Sequence, residues 1–182
     1  MEHYDLIVIG GGPSGYAGAM RALDFKKKVL LVEKKRIGGA GVYDGVLTSK
    51  TLWELSQKVS SIREIIPAYH VDYQDIVKTV KEAVFERKTQ MTVHSHLLQK
   101  QQPDLFCYEK GCASFLDKNT IAIKKDDGST KIVSATNILI TTGSRPRYLP
   151  HISIDEKIIM TSDGVKNLTE LPKSRVVLGA GV

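Results

Sequence analysis

Cysteine is scarce in this chain: Cys107 and Cys112 are the only two among 182 residues. Two cysteines make no disulfide framework, so the composition points to a reducing, cytoplasmic setting. No apolar run approaches the roughly 18 residues of a membrane span, and the N-terminus reads as a strand rather than a signal peptide. No internal repeat or low-complexity linker interrupts the chain. The net charge is +6, yet the lysines sit in short clusters at strand ends, Lys26–Lys28, Lys34–Arg36 and Lys124–Lys125. Without aromatic interleaving or a nucleic-acid motif they read as a solvated basic surface, so neither nucleic acid nor a membrane is expected as partner. His94 and His96 lie two apart on one predicted helix and face different sides, which argues against a metal pair. What is present is an apolar content of 42%, enough core for one domain, or one and a fragment.

The chain is organised around Asp5–Gly15, DLIVIGGGPSG. A four-residue apolar run, Leu6–Ile9, enters Gly10, Gly12 and Gly15, the pattern of a buried parallel strand feeding a tight turn. In this G-x-G-x-x-G spacing Gly10 permits the turn, Gly12 lets a pyrophosphate approach the backbone, and Gly15 lets helix and strand pack closely. Tyr16–Phe25 reads as the following helix, whose N-terminus aims free N–H groups at phosphate. A second apolar strand, Val29–Val32, ends in Glu33, close to the ~20-residue spacing of the acid that binds a ribose hydroxyl pair. Strand, glycines, helix, strand and acid in one unit predict a dinucleotide site.

Lys34–Thr48, with Gly38, Gly39, Gly41 and Gly45, carries few helix or strand signals and reads as a loop able to follow an extended ligand. Ser49 is placed to cap a helix over Lys50–Ile66, with Leu52, Leu55, Val59, Ile62 and Ile66 as its buried face. Pro67 stops it. Asp72 caps a second helix to about Gln101, with Ile76, Val80, Val84, Met91 and Leu98 on one side. From Leu105 the period becomes two. Leu105–Phe115, Thr120–Lys124 and Thr130–Val133 read as strands, with Asp127-Gly128 turning the last hairpin. Cys107 and Cys112 then share one strand, point to opposite faces and sit ~16 Å apart, as structural cysteines. Asn137–Thr141 is a further apolar strand, broken by Thr142-Gly143-Ser144. Ser174–Val182 reads as a strand entering half a glycine turn at Gly179 and Gly181. The chain is therefore expected to be the first part of a longer protein, cut at a second dinucleotide domain; the alternative is that this strand joins the chain's own sheet.

Together, VIGGGPSG at 8–15, Glu33, IGGAGVYDGVLTSK at 37–50, GCASFLD at 111–117, TTGSRPR at 141–147 and TSD at 161–163 resemble the pyridine nucleotide–disulfide oxidoreductases. That family includes dihydrolipoamide dehydrogenase and the soluble pyridine nucleotide transhydrogenase. The resemblance implies an α/β, Rossmann-like FAD-binding domain over 1–172: a parallel sheet with helices on one side and a three-stranded antiparallel crossover on the other. Residues 173–182 would open an NAD(P)-binding domain, and the entire protein would form a homodimer through a C-terminal domain outside this chain.

It also implies roles. Gly10, Gly12, Pro13, Ser14 and Gly15 would hold the FAD pyrophosphate, Glu33 with Lys34 beside it the adenosine ribose, and Ala113 the adenine border. Thr142 and Gly143 would line the groove towards the flavin, and Gly39, Ala40 and Gly45 would flank it. Lys50 matches the family lysine at the flavin's reactive edge, the alternative being a solvated lysine; Ser162 would lie near the cofactor. One departure bears on the chemistry. The family's C-x-x-x-x-C positions are Gly41 and Val46 here, which cannot form a thiolate or a disulfide. The usual proline before Ser49 is Thr48. The transhydrogenase branch, which lacks one of the two cysteines, is the nearest in this respect. Two functions are open: a flavoenzyme passing electrons from NAD(P)H to a small non-disulfide acceptor, or a non-catalytic flavin-binding module or truncated remnant.

Overall fold

Leu6–Ile9 is apolar throughout because its strand is covered on both faces. That strand, β1 (Glu2–Ile9), sits inside a mixed sheet in a computed structural model that describes residues 1–179. Helix α1 (Pro13–Asp24) crosses from β1 to its parallel neighbour β2 (Val29–Glu33), with Ile7 opposite Leu30. On the other side of β2 lies parallel β3 (Phe106–Lys110). An antiparallel meander follows: β4 (Cys112–Phe115), β5 (Thr120–Lys124) and β6 (Thr130–Ile140). The strand order is β3-β2-β1-β6-β5-β4.

The alternation of side chains splits the interior into two cores. Ile7, Ile9, Leu30 and Val32 face the meander and pack with Ile121, Ile123, Val133 and Ala135. Val8, Val29 and Leu31 face the helices and pack with Ala19 and Leu23 of α1 and with Met91. Met91 belongs to α4 (Tyr73–Gln101), whose N-cap Asp72 accepts from the Gln74 N–H at 2.9 Å. The expected α/β fold, with helices on one face and a crossover meander on the other, is thus present.

Three expected boundaries differ. The strand predicted over Leu105–Phe115 breaks at Gly111, where an added Cβ would stand 2.7 Å from Ile123 Cγ2 and 2.9 Å from the Lys124 carbonyl oxygen. The chain turns there to leave β3 and start β4, which puts Cys107 and Cys112 on different strands, both thiols free. Burial pushes the half-buried Cys107 thiol up. The strands predicted at 130–133 and 137–141 are one strand. Its first part pairs antiparallel with β5 and its remainder parallel with β1, so the backbone between them never lacks a partner. Finally, the loop after Glu33 folds: α2 (Gly39–Tyr43) precedes α3 (Val46–Ile65), which begins four residues before Lys50. Gly45 rather than Ser49 caps α3, its carbonyl accepting from the Thr48 hydroxyl at 2.8 Å and the Ser49 N–H at 2.9 Å. The expected apolar face of α3 is only half-buried, and Ile66 is exposed, because α3 packs mainly on α2 and α4 and not on the sheet. Ser174–Gly179 forms no strand and joins no sheet; Gly181 lies outside the described residues.

Charged pairs tie the meander to the parallel strands. Lys131 Nζ reaches Glu2 Oε2 at 3.3 Å and Glu109 Oε1 at 2.9 Å, and Lys125 Nζ reaches Glu109 Oε2 at 3.0 Å. Burial pushes the Glu109 carboxyl up, but the Lys131 and Lys125 ammoniums outweigh it and hold the group below its ordinary value. A carboxyl depressed on folding stabilises the native state above its unfolded pKa, about 4 for Glu, and that contribution is lost as pH falls through the lower folded value. Glu109→Gln is therefore expected to flatten the acid limb of the stability–pH curve. Urea midpoints across the acid range measure it; an unchanged limb would show that the pair contributes nothing.

Candidate functional site

The carboxyl ends of β1, β2 and β6 converge on the glycine turn. Gly10 adopts φ +109°, and a Cβ there would lie 2.3 Å from the Thr141 carbonyl oxygen. Only glycine accepts both that conformation and that approach. Gly15 is tighter still: its Cβ would stand 1.9 Å from the Gly10 carbonyl oxygen and 2.5 Å from Thr141 Oγ1. Gly12 is different, because nothing lies within 4 Å of its Cβ position. The first two glycines named serve packing, and Gly12 faces open space.

Helix α1 starts at this opening. Pro13 occupies its first turn, no side chain caps it and no acidic residue stands in that turn. The Ser14 and Gly15 N–H groups have no helical carbonyl to donate to, and the uncompensated helix dipole favours an anion. A cradle open at Gly12, rimmed by these donors, fits a phosphate-bearing ligand.

Glu33 closes one side. Its Oε2 accepts from the Gly11 N–H at 2.6 Å and its Oε1 from the Lys35 N–H at 2.7 Å. The carboxylate is thus fixed by the turn itself, with lone pairs left on both oxygens. The Gly111 N–H donates to the Glu33 carbonyl at 2.9 Å, which brings the start of β4 to the same corner. Ala113, two residues on, is half-buried against the meander core. Lys34 is exposed beside Glu33.

The 37–50 segment packs directly on the turn. The Gly38 N–H donates to the Gly11 carbonyl at 2.8 Å, and a Cβ on Gly39 would stand 3.1 Å from Gly12 Cα. At Gly41 a Cβ would fall 2.3 Å from Pro13 Cγ. Ala40 is exposed, and its carbonyl lies beneath Gly45. Val46 is 60% exposed at the start of α3. Lys50, also on α3, is exposed and enters no ion pair among the described residues. Thr142 and Gly143 follow β6 on the exposed rim. Ser162 opens the short α5 (Ser162–Val165), behind its cap Thr161. α5 is drawn to the site because Lys166 just beyond it pairs with Asp44, at the end of α2, which Arg36 also contacts at 3.5 Å.

Sequence reading missed Gly11, Thr141 and Asp44. Thr141 Oγ1 donates towards the Ile9 and Gly10 carbonyls at 3.0 and 2.9 Å and so pins the turn. Gly11 acts through its N–H, which no residue type signals. Asp44 works only once Arg36 and Lys166 are folded around it. His94, which the sequence sets apart from His96 on the helix, has its Nδ1 paired with the Tyr16 hydroxyl of α1.

The profile of the Pyridine nucleotide-disulphide oxidoreductase family matches residues 4–182. The chain belongs to that family. It is 34% identical over 179 residues to the mitochondrial dihydrolipoyl dehydrogenase of Caenorhabditis elegans, covering 98% of this chain and 36% of that one. To the dihydrolipoyl dehydrogenase of Bacillus subtilis it is 30% identical, covering 98% and 40%. The chain thus spans well under half the length of these relatives. Among solved structures, LpdA from Mycobacterium tuberculosis superposes with a TM-score of 0.77 at 24% identity, over 94% of this chain and 38% of that one, a likeness of fold. The fold is that of the family's FAD-binding domain. No helix among the described residues is long and apolar enough to cross a membrane.

Proposed function

We propose that residues 1–172 are the FAD-binding part of a flavin-dependent NAD(P)H oxidoreductase whose electron acceptor is not a disulfide. Residues 173–182 open its second nucleotide-binding unit, and its acceptor is a small molecule, as in a transhydrogenase-like enzyme. The observation that carries this reading is the pairing of an intact phosphate cradle at Gly12 with a sulfur-free 41–46 segment packed against it. FAD, when bound, supplies a two-electron acceptor that side chains lack. The chain's residues supply the rest. The Ser14 and Gly15 N–H groups take the pyrophosphate charge. The oriented Glu33 carboxylate accepts from ribose hydroxyls, and its charge repels a 2′-phosphate. Lys50 contributes a positive charge on α3 that stabilises negative charge arriving nearby.

Titrating the chain with FAD and following flavin fluorescence tests the cradle. Saturable uptake is expected, and Glu33→Ala should weaken it by about 1–3 kcal/mol, the value of one or two hydrogen bonds to ribose. No uptake at micromolar FAD would sink the reading. The protein expressed from its entire reading frame should then oxidise NADH or NADPH with a quinone or a second pyridine nucleotide as acceptor.

A further inference from the structure

Residues 142–179 leave the site and come back to it. They start directly after Thr141, whose carbonyl oxygen lies against Gly10. They return where Lys166 pairs with Asp44 at the end of α2, and α2 itself packs on Gly12 and Pro13 through Gly39 and Gly41. Both ends of the 142–166 span therefore sit at edges of the open cradle. Order within the span is local. The Asp155 carboxylate accepts from the Lys157 and Ile158 N–H groups at 2.8 and 2.9 Å, and the Glu156 carboxylate accepts from the Thr161 N–H and hydroxyl at 3.0 and 2.8 Å. None of its side chains joins either core. Among the described residues, two polar contacts join residues 142–179 to the rest of the chain: Lys166 with Asp44, and Gln74 Nε2 donating to the Thr169 carbonyl at 2.7 Å.

We propose that Asp44 is a positioning residue: its carboxylate fastens the 142–166 span across the mouth of the cradle and so sets how tightly the chain holds its cofactor. The effect on the cofactor rests on the reading of the cradle as an FAD site. The carboxylate stands between two cations, Arg36 Nη2 at 3.5 Å and Lys166 Nζ. Arg36 is held in place, because its guanidinium carbon lies 3.8 Å from the centroid of the Tyr43 ring. Removing the charge from Asp44 leaves Arg36 facing Lys166, and the attraction becomes a repulsion. The Asp44 and Lys166 side chains are each 28% exposed, against 65% and 69% for Asp24 and Arg21. The pair is thus less screened than an ordinary surface pair, which shifts an equilibrium by up to about fivefold. A ligand beneath a span held by such a pair loses affinity in proportion to the closed fraction lost.

FAD titration of the chain by flavin fluorescence reads the cofactor, and trypsin cleavage after Lys157 reads the span. Asp44→Asn is expected to raise the FAD Kd about fivefold and to speed the cleavage by a similar factor. Asp44→Glu should recover most of both. Lys166→Gln alone should weaken FAD binding about threefold, since it loses the attraction without creating a repulsion. Added to Asp44→Asn it should do no further harm, because it removes the cation that Arg36 repels. A role of Asp44 confined to α2 would instead make the two effects multiply. Urea midpoints equal to the parent's check that the cores are intact. FAD affinity unmoved by Asp44→Asn, cleavage unmoved by it, or multiplying effects of the two substitutions would each overturn the proposal. No FAD uptake by the parent would overturn the cofactor reading, and the cleavage rates then decide by themselves whether Asp44 fastens the span.

Discussion

Gly15→Val is expected to destabilise the fold by more than about 3 kcal/mol, in the range of severe core and backbone conflicts, and to abolish FAD uptake with it. The reason is that neither atom facing the new side chain can move aside. The Gly10 carbonyl oxygen, 1.9 Å from the Cβ position, belongs to a residue whose N–H is already given to the Val32 carbonyl. Thr141 Oγ1, at 2.5 Å, is committed to the Ile9 and Gly10 carbonyls. Relief requires opening the turn between β1, α1 and β6. Gly12→Ala is the informative contrast. Nothing lies within 4 Å of its Cβ position, so stability should stay within about 0.5 kcal/mol of the parent. Its methyl nevertheless enters the cradle and should weaken FAD binding. Urea unfolding and FAD titration of both variants separate the two effects; a Gly15→Val protein of parental stability would show that the turn is not packed as described.

The second large effect concerns the 41–46 segment. The protein expressed from its entire reading frame is expected to reduce neither lipoamide nor glutathione disulfide through this segment, because Gly41 and Val46 offer no nucleophilic sulfur. Alkylating its thiols should leave NAD(P)H oxidation nearly unchanged. Restoring the pair as Gly41→Cys with Val46→Cys should not restore the chemistry. The Gly41 Cβ position is 2.3 Å from Pro13 Cγ and 2.9 Å from Pro13 Cδ, and that ring is held in the first turn of α1. Overpacking of this kind costs about 1–3 kcal/mol. Adding Pro13→Ala should recover most of it, and calorimetry of the double and triple variants measures the recovery. Efficient disulfide reduction by the unmodified protein would point instead to cysteines elsewhere in its sequence.

Glycine at 41 has a structural counterpart: without a side chain there, α2 packs directly on the proline that starts α1. Composition and spacing could not show this, since Pro13 and Gly41 are remote in sequence and meet only when β2 delivers the chain back to the turn.

What the sequence determined by itself was everything set by local pattern. The βαβ unit was legible from Leu6–Ile9, the glycine spacing and Glu33, because a doubly covered strand must be apolar throughout and a phosphate turn must be glycine. The cap at Asp72 and the extent of α4 followed from capping chemistry and period. Tertiary structure decided what depends on partners. Gly111 breaks a strand only because Ile123 and Lys124 lie against it. Residues 130–140 form one strand because β5 and β1 each pair with part of it. The apolar stripe of α3 is half-buried because α2 and α4, not the sheet, lie beneath it. Glu33 could be read from sequence as a ribose ligand. That its carboxylate is first fastened by the Gly11 and Lys35 N–H groups emerged only from the fold, since backbone donors carry no signature in a sequence.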